Sequence, residues 1–380
     1  MLVGVVLLRT HPFPLDDNFA YQRFIETLAQ GKVDLSIPGF QGASFLALPL
    51  YLLTRSPLTN IWFQVLCAAL LVPAAALAAS SLLRDRLQVI LFTYAMALMP
   101  FYFFLALRGF TFASFTLFVL LTLWLRGRGS VWAWAPLALS LLIKPFSIAL
   151  LPLFLLWQPE ATMKTLWHRG WVQLLLAIIL PALYAATQYL QVGRLIIGAH
   201  ENINQLNVFQ WWRLPLNAAH GVQMLFSIHN FYFPDPGKTG LGNMTHSSPL
   251  LLFLGLFSLL YPRQFWKDRR LAGTILLSAL LAFLLAASLD HLDHFYLETC
   301  VLLLTLASIP VVARYKLLLP LVLVTFHFQF FYLYLNYRGE FFMDTSLFWI
   351  VAIIDAMAVI WTLLWVSSSW NWRLFFGRWY

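Results

Sequence analysis

The sequence predicts an all-α polytopic membrane protein, and three observations lead to that fold class. Of its 380 residues, 61% are hydrophobic and only 10% are charged, whereas a soluble domain carries roughly 25% charged residues. Apolar runs of spanning length recur almost to the end of the chain. The lysines and arginines behind the net charge of +9 lie mainly in short connectors, which is the positive-inside pattern and does not indicate nucleic acid as a partner.

The first apolar segment, residues 1–8, is too short to cross a bilayer, because a spanning helix needs about 20 residues. We expect the start of a first transmembrane helix to be missing there. The alternative is a short interfacial N-terminus, and the two interpretations differ by one span.

The next stretch, PFPLDDNFAYQRFIETLAQG at 12–31, joins two adjacent acids to a short amphipathic helix. Its apolar side chains repeat at helical spacing and predict one buried face: Tyr21, Phe24, Ile25 and Leu28. Gly31 follows them, where a left-handed C-cap is expected. Asp16, Asp17 or Asn18 can cap the other end.

The apolar runs predict one integral membrane domain over 1–380, with about twelve transmembrane helices. We expect transmembrane spans with these approximate bounds: 58–82, 87–107, a run ending at 125, 172–190, 249–261, 271–289, 297–313, 317–335 and 346–366. Residues 9–56 form a first outer loop, in which the apolar segment 43–54 is a second interfacial helix. Residues 191–248 form a second large outer loop.

The apolar run at 131–157 decides the topology. Read as one helix, it places the basic connector 263–270 outside the cell. Read as two short halves broken at Lys144-Pro145, it places every strongly basic connector on the cytoplasmic side. Proline cannot continue the helical hydrogen bonds, and a lysine in the middle of a lipid-facing span is costly. We therefore interpret the run as broken.

The acid pair at the start of the first amphipathic helix suits general base chemistry. One carboxylate can take a proton from a hydroxyl or amine while the other orients it. The positive end of the helix favours the ionised form of both. The alternative is that Asp16 or Asp17 only caps the helix.

Two stretches resemble the GT-C fold glycosyltransferases. LDDNFAYQRFIETLAQG at 15–31 is similar to their first outer loop, in which an acidic pair precedes a Tyr-containing helix that ends in Gly. LALSLLIKPFSIALLPLFLLW at 137–157 is similar to their short paired helices. The resemblance covers about the first 160 residues. The family includes protein mannosyltransferases and the transferases that add aminoarabinose to lipid A.

The resemblance implies an activity, a substrate class and a place in the cell. It implies a sugar donor on a polyprenyl phosphate, with inverting transfer to a lipid, glycan or protein acceptor on the periplasmic or luminal face. Asp16 would be the catalytic base and Asp17 its auxiliary. A bacterial inner membrane is the expected location. The aminoarabinose and mannosyl transferases often have Asp-Glu followed closely by Arg, whereas this chain has Asp-Asp-Asn, which leaves the subfamily and the phosphate ligand open.

A lipid phosphate leaving group needs cations near its developing charge. Lys144, at the broken run, is the first candidate for donor phosphate binding, and a lysine snorkelling to the interface is the alternative. Arg108, at the end of a span, is the second candidate, and its alternative is an interfacial anchor.

The late outer loop SLDHLDHFYLE at 288–298 supplies further polar groups. His291 and His294 are three residues apart and suit hydrogen bonding to phosphate or sugar. With Asp290 or Asp293 they suit a divalent cation instead, so a metal cofactor stays open and no metal ligand is assigned. A plain polar cap on the next helix is the third interpretation. Family members often have Arg-Tyr here, where this chain has a His-Phe-Tyr sequence ending at Tyr296.

Aromatic residues are the candidates for substrate binding. Trp211 and Trp212, in the second large loop, suit stacking on a sugar, with interfacial anchoring as the alternative. Tyr21 and Tyr296 are further candidates from the acid-pair helix and the late loop. We expect the acceptor to bind near the loop at 191–248.

Two other classes of membrane protein compete with a transferase. A transporter or lipid flippase predicts charges buried in mid-span and internal repeats. An O-antigen ligase or polymerase has its key residues in a large late loop. The acids of this chain lie near the ends of spans, and the pair comes early. The sequence therefore favours a glycosyltransferase.

Overall fold

The fold is all-helical throughout the part of the chain that the structure describes. This computed structural model describes residues 16–37, 39–83, 85–159, 163–194, 211–226, 249–289, 294–315 and 318–322, with scattered helical positions between 353 and 364. The first eight helices are α1 (Asp16–Ala29), α2 (Gly42–Thr54), α3 (Thr59–Leu82), α4 (Arg86–Leu98), α5 (Pro100–Leu107), α6 (Phe112–Gly127), α7 (Trp134–Ile143) and α8 (Leu151–Leu156). The others are α9 (Met163–Val192), α10 (Leu214–Phe226), α11 (Pro249–Leu260), α12 (Pro262–Phe265), α13 (Arg269–Ala287) and α14 (Glu298–Arg314).

Three of the described helices are long and apolar enough to cross a membrane. They are α3, the segment Gly170–Val192 of α9, and α13. Shorter apolar helices lie before the first of them and between them. The predicted class, an all-α polytopic membrane protein, is confirmed. The expected spans at 317–335 and 346–366 lie mostly outside the described residues, as does the segment 1–8.

The span that we expected at 87–107 is divided in two, so that prediction was wrong. Helix α4 ends at Leu98, and α5 begins at Pro100. Between them Met99 is extended, with φ −67° and ψ 106°. Pro100 carries no N–H for the preceding turn and disfavours a helical residue before it. The helix therefore stops at the Met-Pro step.

The break at Lys144-Pro145 is confirmed. Helix α7 ends at Ile143, Lys144 is extended with φ −148° and ψ 126°, and a 3₁₀ helix begins at Pro145. After the break the chain turns back, since the side-chain amide of Gln158 donates to the Gly129 carbonyl at 3.4 Å. The run at 131–157 is thus a hairpin of two halves with Lys144 at its tip.

One end of the bundle is closed around a buried arginine, and we call it the Arg126 end. The guanidinium of Arg126, in the last turn of α6, donates to the carbonyls of Leu153, Phe154 and Trp157 at 3.0, 2.7 and 2.5 Å. These are carbonyls at the end of α8, which have no partner within that helix. The Trp157 indole donates to Asp268 at 2.8 Å. Arg126 therefore ties the returning half of the hairpin to α6.

Small residues let the spans approach each other closely. Helix α3 packs on α6 at Gly127, where a Cβ would meet the side chain of Ser81. Helix α11 packs on α14 at another glycine. A Cβ at Gly255 would lie only 2.8 Å from the carbonyl carbon of Leu304 and still closer to its carbonyl oxygen. Such small-residue contacts are typical of helix packing in membranes, where van der Waals contact and not water exclusion drives association.

Candidate functional site

Helix α1 begins at Asp16 and buries the predicted face. Phe24 and Ile25 are fully buried, and Tyr21 is 7% exposed. The helix ends at Ala29, and Gly31, two residues later, has a φ of +77°, which is the expected left-handed C-cap. The amphipathic helix and its C-cap are therefore confirmed. The side chains of Asp16 and Asp17 are not among those that the structure describes, so their catalytic roles stay predictions.

The loop after α1 is held by the far end of α9. Gln191 accepts a hydrogen bond from the Leu35 N–H at 3.0 Å and donates to the Val33 carbonyl at 3.1 Å. One turn earlier, Gln188 donates to the Leu35 carbonyl at 3.3 Å. Next to these hydrogen bonds the loop contributes to a compact apolar cluster, which we call the loop cluster: Phe24, Leu35, Ile37, Phe40, Leu142 and Tyr184. Helix α9 thus fixes the first loop against α7.

A buried amide network fixes the start of α1 against the bundle. The side-chain amide of Asn60, in the first turn of α3, donates to Asn18 at 2.9 Å and to the Gly109 carbonyl at 2.7 Å. Its backbone N–H donates to the Gln22 side chain at 3.2 Å. Asn18 and Asn60 are 1% and 0% exposed. Asn60 therefore holds Asn18 against α3 and against the turn after α5. The acid pair comes directly before Asn18 in the chain.

That turn brings Arg108 to the same place. Arg108 follows α5 and is 4% exposed, and Gly109 adopts a left-handed φ of +80°. A Cβ at Gly109 would lie 2.6 Å from the Cβ of Asn18. Only glycine gives both the backbone conformation and the space. Arg108, an expected phosphate ligand, is thereby placed in the turn that receives the acid-pair helix.

Lys144 lies at the same end of the bundle, which we call the Lys144 end. Its ammonium nitrogen is 2.9 Å from the centroid of the Phe112 ring, and Phe112 begins α6 three residues after Gly109. The start of α2 packs on the residues before the break, since a Cβ at Gly42 would lie 2.6 Å from the Leu142 backbone. The first loop, the Arg108 turn and the broken hairpin therefore meet.

The late loop approaches from the other side of the break. The Tyr296 ring lies 5.1 Å from the Phe146 ring, centroid to centroid. Two residues later the buried carboxylate of Glu298 accepts a hydrogen bond from the Thr116 hydroxyl. Tyr296 therefore lies close to Lys144 in the fold, and its role in substrate binding stays a prediction.

The other predicted site residues are distributed as follows. Trp211 and Trp212 are 63% and 69% exposed, in a 3₁₀ turn just before α10. The side chain of Asn217, in α10, donates to the Leu289 carbonyl at 2.8 Å, so this region lies beside the start of the late loop.

His291 and the side chain of His294 lie outside the described residues. Within the described part of the chain, no group of three His, Cys, Asp or Glu residues is arranged to hold a metal.

Sequence reasoning missed the amide network and the Glu298 contact. Asn60 and Gln64 are one turn apart in an apolar span, and both are fully buried. Polar residues inside a span usually face protein or a functional cavity, so this spacing was a usable signal. Glu298 was visible only as one of several polar residues in the late loop.

These features define a class: a polytopic helical membrane protein with a GT-C fold. No protein-family model and no curated protein sequence matches the chain. Among solved structures, it is similar to the crystal structure of ArnT from Cupriavidus metallidurans bound to undecaprenyl phosphate. The two share 15% sequence identity at a TM-score of 0.55, over 97% of this chain and 69% of that chain. The fold expected from the family resemblance is confirmed.

Proposed function

We propose that this protein is an integral membrane glycosyltransferase that moves a sugar from a polyprenyl-phosphate donor to an acceptor. One observation carries the proposal: the helix that begins with the acid pair, the Arg108 turn and the Lys144 break meet at one end of the bundle. The fold shared with ArnT, whose structure holds undecaprenyl phosphate, supports a polyprenyl phosphate as the lipid part of the donor.

The residues take distinct roles in this reaction. The acceptor oxygen or nitrogen forms a bond to the anomeric carbon of the sugar, and Asp16 takes the proton that the acceptor loses. The bond between the anomeric carbon and the phosphate oxygen breaks, and its electron pair leaves with the polyprenyl phosphate. Attack from the face opposite the phosphate inverts the anomeric centre. Asp17 orients the base or the acceptor.

Cations stabilise the leaving phosphate. Lys144 and Arg108 are the groups proposed to meet its developing charge, with His291 and His294 as further hydrogen-bond donors. In support, Arg108 is buried beside the acid-pair helix. Lys144 lies at a hairpin tip, where the extended backbone frees its side chain from a helix.

The wider organisation follows from these roles. The active site faces the outer side of a bacterial inner membrane, with residues 9–56 as the first outer loop. Residues 191–248 form the second outer loop and receive the acceptor near the exposed Trp211 and Trp212. Tyr21 and Tyr296 complete the proposed substrate site.

The test is donor consumption by purified protein in proteoliposomes. We expect the protein to release polyprenyl phosphate from one member of a panel of radiolabelled polyprenyl-phosphate sugars, when cell-envelope lipids and glycans are present as acceptors. The matched control is the Lys144→Met protein at equal abundance, which keeps an unbranched side chain of nearly the same length and removes its charge. Movement of intact labelled lipid across the bilayer, with no release of sugar from any donor, would contradict the proposal and support a flippase.

A further inference from the structure

Glu298 is a buried carboxylate at the Lys144 end to which the proposed chemistry gives no role. It is the first residue of α14 and is 2% exposed. Its Oε1 accepts the hydrogen bond from Thr116. Its Oε2 is buried and accepts no hydrogen bond from any residue that the structure describes. A carboxylate removed from water in this way needs a nearby positive charge.

Lys144 lies in the right place to supply that charge. Phe112 and Thr116 are one turn apart on the same face of α6, about 6 Å along the helix axis. The Lys144 ammonium lies against the first of them and the Glu298 carboxylate against the second. The two charges therefore occupy neighbouring positions along one helix face.

The backbone around both charges is held by an aromatic contact. Phe146 follows Lys144 by two residues, and Tyr296 precedes Glu298 by two. Their ring centroids are 5.1 Å apart, a distance at which aromatic rings attract each other. The broken hairpin and the start of α14 are thus joined at the level of the charge pair.

We propose that Glu298 is a positioning residue that keeps the Lys144 ammonium over the Phe112 ring, where it meets the donor phosphate. This inference rests on the proposed function, because it gives Lys144 the phosphate-binding role stated there. Lysine has a flexible four-carbon stem and a strongly hydrated head, so a fixed counter-charge is needed to hold it beside an aromatic ring. Glu298 does not touch the sugar or the phosphate.

The test is binding of undecaprenyl phosphate to the full-length protein in nanodiscs, with Kd measured by titration. We expect Glu298→Gln to raise Kd by about tenfold, since one charge contact is lost. Glu298→Asp keeps the charge and should remain within about threefold of wild type. In a Lys144→Met background, Glu298→Gln should have no further effect on Kd, because the residue through which it acts is gone.

Controls separate positioning from folding. Ser308→Ala removes a buried hydroxyl ten residues, nearly three turns, further along α14, and it should leave Kd unchanged. Should Glu298→Gln fail to fold, the Thr116→Val variant takes its place, because this substitution removes the hydroxyl that orients Glu298. An unchanged Kd for Thr116→Val would then overturn the inference.

The outcomes distinguish this inference from the function on which it rests. A Kd for Glu298→Gln that is unchanged or lower, with weak binding by Lys144→Met, overturns the positioning role alone. A Lys144→Met protein that binds as wild type does, or a wild-type protein that does not bind undecaprenyl phosphate, overturns the phosphate role of Lys144 and this inference with it.

Discussion

Asn60 and Asn18 are joined by a buried hydrogen bond of 2.9 Å between their side-chain amides. The same Asn60 nitrogen donates to the Gly109 carbonyl at 2.7 Å, so one side chain connects α1, α3 and the Arg108 turn. Because α1 carries the acid pair in its first turn, this amide fixes where the acids lie relative to Arg108. An interfacial helix without such a bond would be free to slide on the membrane surface.

Removal of the Asn60 side chain should lower both stability and transfer. Asn60→Ala leaves two buried acceptors without a donor, on Asn18 and Gly109, at a cost of about 2 kcal/mol in the free energy of unfolding. Denaturation in detergent measures that cost. The matched control is Ser80→Ala in the same helix, because among the described residues Ser80 bonds only to the carbonyl of Leu77 in its own helix. If the Asn60 and Ser80 variants are equally stable and active, the network does not position α1.

Gly109→Ala should be far more harmful than Gly31→Ala, although both glycines have similar positive φ values of +80° and +77°. A left-handed alanine costs about 1–2 kcal/mol at either position. At Gly109 the new Cβ also meets Asn18, whereas at Gly31 no atom of the described part of the chain lies within 4 Å. We expect Gly109→Ala to reduce transfer by about tenfold or more beyond the control. Equal initial rates for the two purified variants would show that the close approach does not matter.

Arg126→Ala should destabilise the bundle without a direct effect on chemistry. It removes the donor to three carbonyls at the end of α8, and we expect a loss of about 3 kcal/mol in the free energy of unfolding. The control is Arg128→Ala, which removes the same charge from an exposed position two residues later. Thermal unfolding in detergent compares them, and a midpoint no lower for Arg126→Ala than for Arg128→Ala would contradict this role.

Loss of the α9 contacts should expose the first loop to protease. The Gln188→Leu, Gln191→Leu double variant removes the hydrogen bonds to Val33 and Leu35, next to the exposed Lys32. We expect trypsin to cut after Lys32 about tenfold faster, because local opening becomes easier. Thr187→Val, on the exposed side of α9, should leave the rate unchanged. A double variant cut at the wild-type rate would mean that other contacts hold the loop.

The local features of the site were predictable from the sequence, whereas their positions relative to one another in the fold were not. The amphipathic face of α1, its glycine C-cap and the break at Lys144-Pro145 each depend on neighbouring residues, so periodicity and proline chemistry suffice to predict them. The bond from Asn60 to Gly109 joins residues 49 positions apart. No local pattern specifies such a pairing.

The division of the 87–107 run shows a second limit. A proline in an apolar run does not by itself end a helix, because Pro73 lies inside α3 and Pro310 lies inside α14. Pro100 does end one, at the extended Met99. Which prolines a membrane bundle accommodates depends on whether neighbouring helices satisfy the freed carbonyls, and that information is tertiary.

The most direct test of the proposed reaction is sugar transfer by Asp16→Asn in proteoliposomes, at equal abundance with wild type and with the donor that wild type consumes. The control is Asp34→Asn, which changes a carboxylate of the same loop that hydrogen-bonds Ser36. We expect Asp16→Asn to lose transfer by about a hundredfold or more, the usual size of a general base contribution, and Asp34→Asn to retain it. Equal rates for Asp16→Asn and wild type would contradict the assignment of the base.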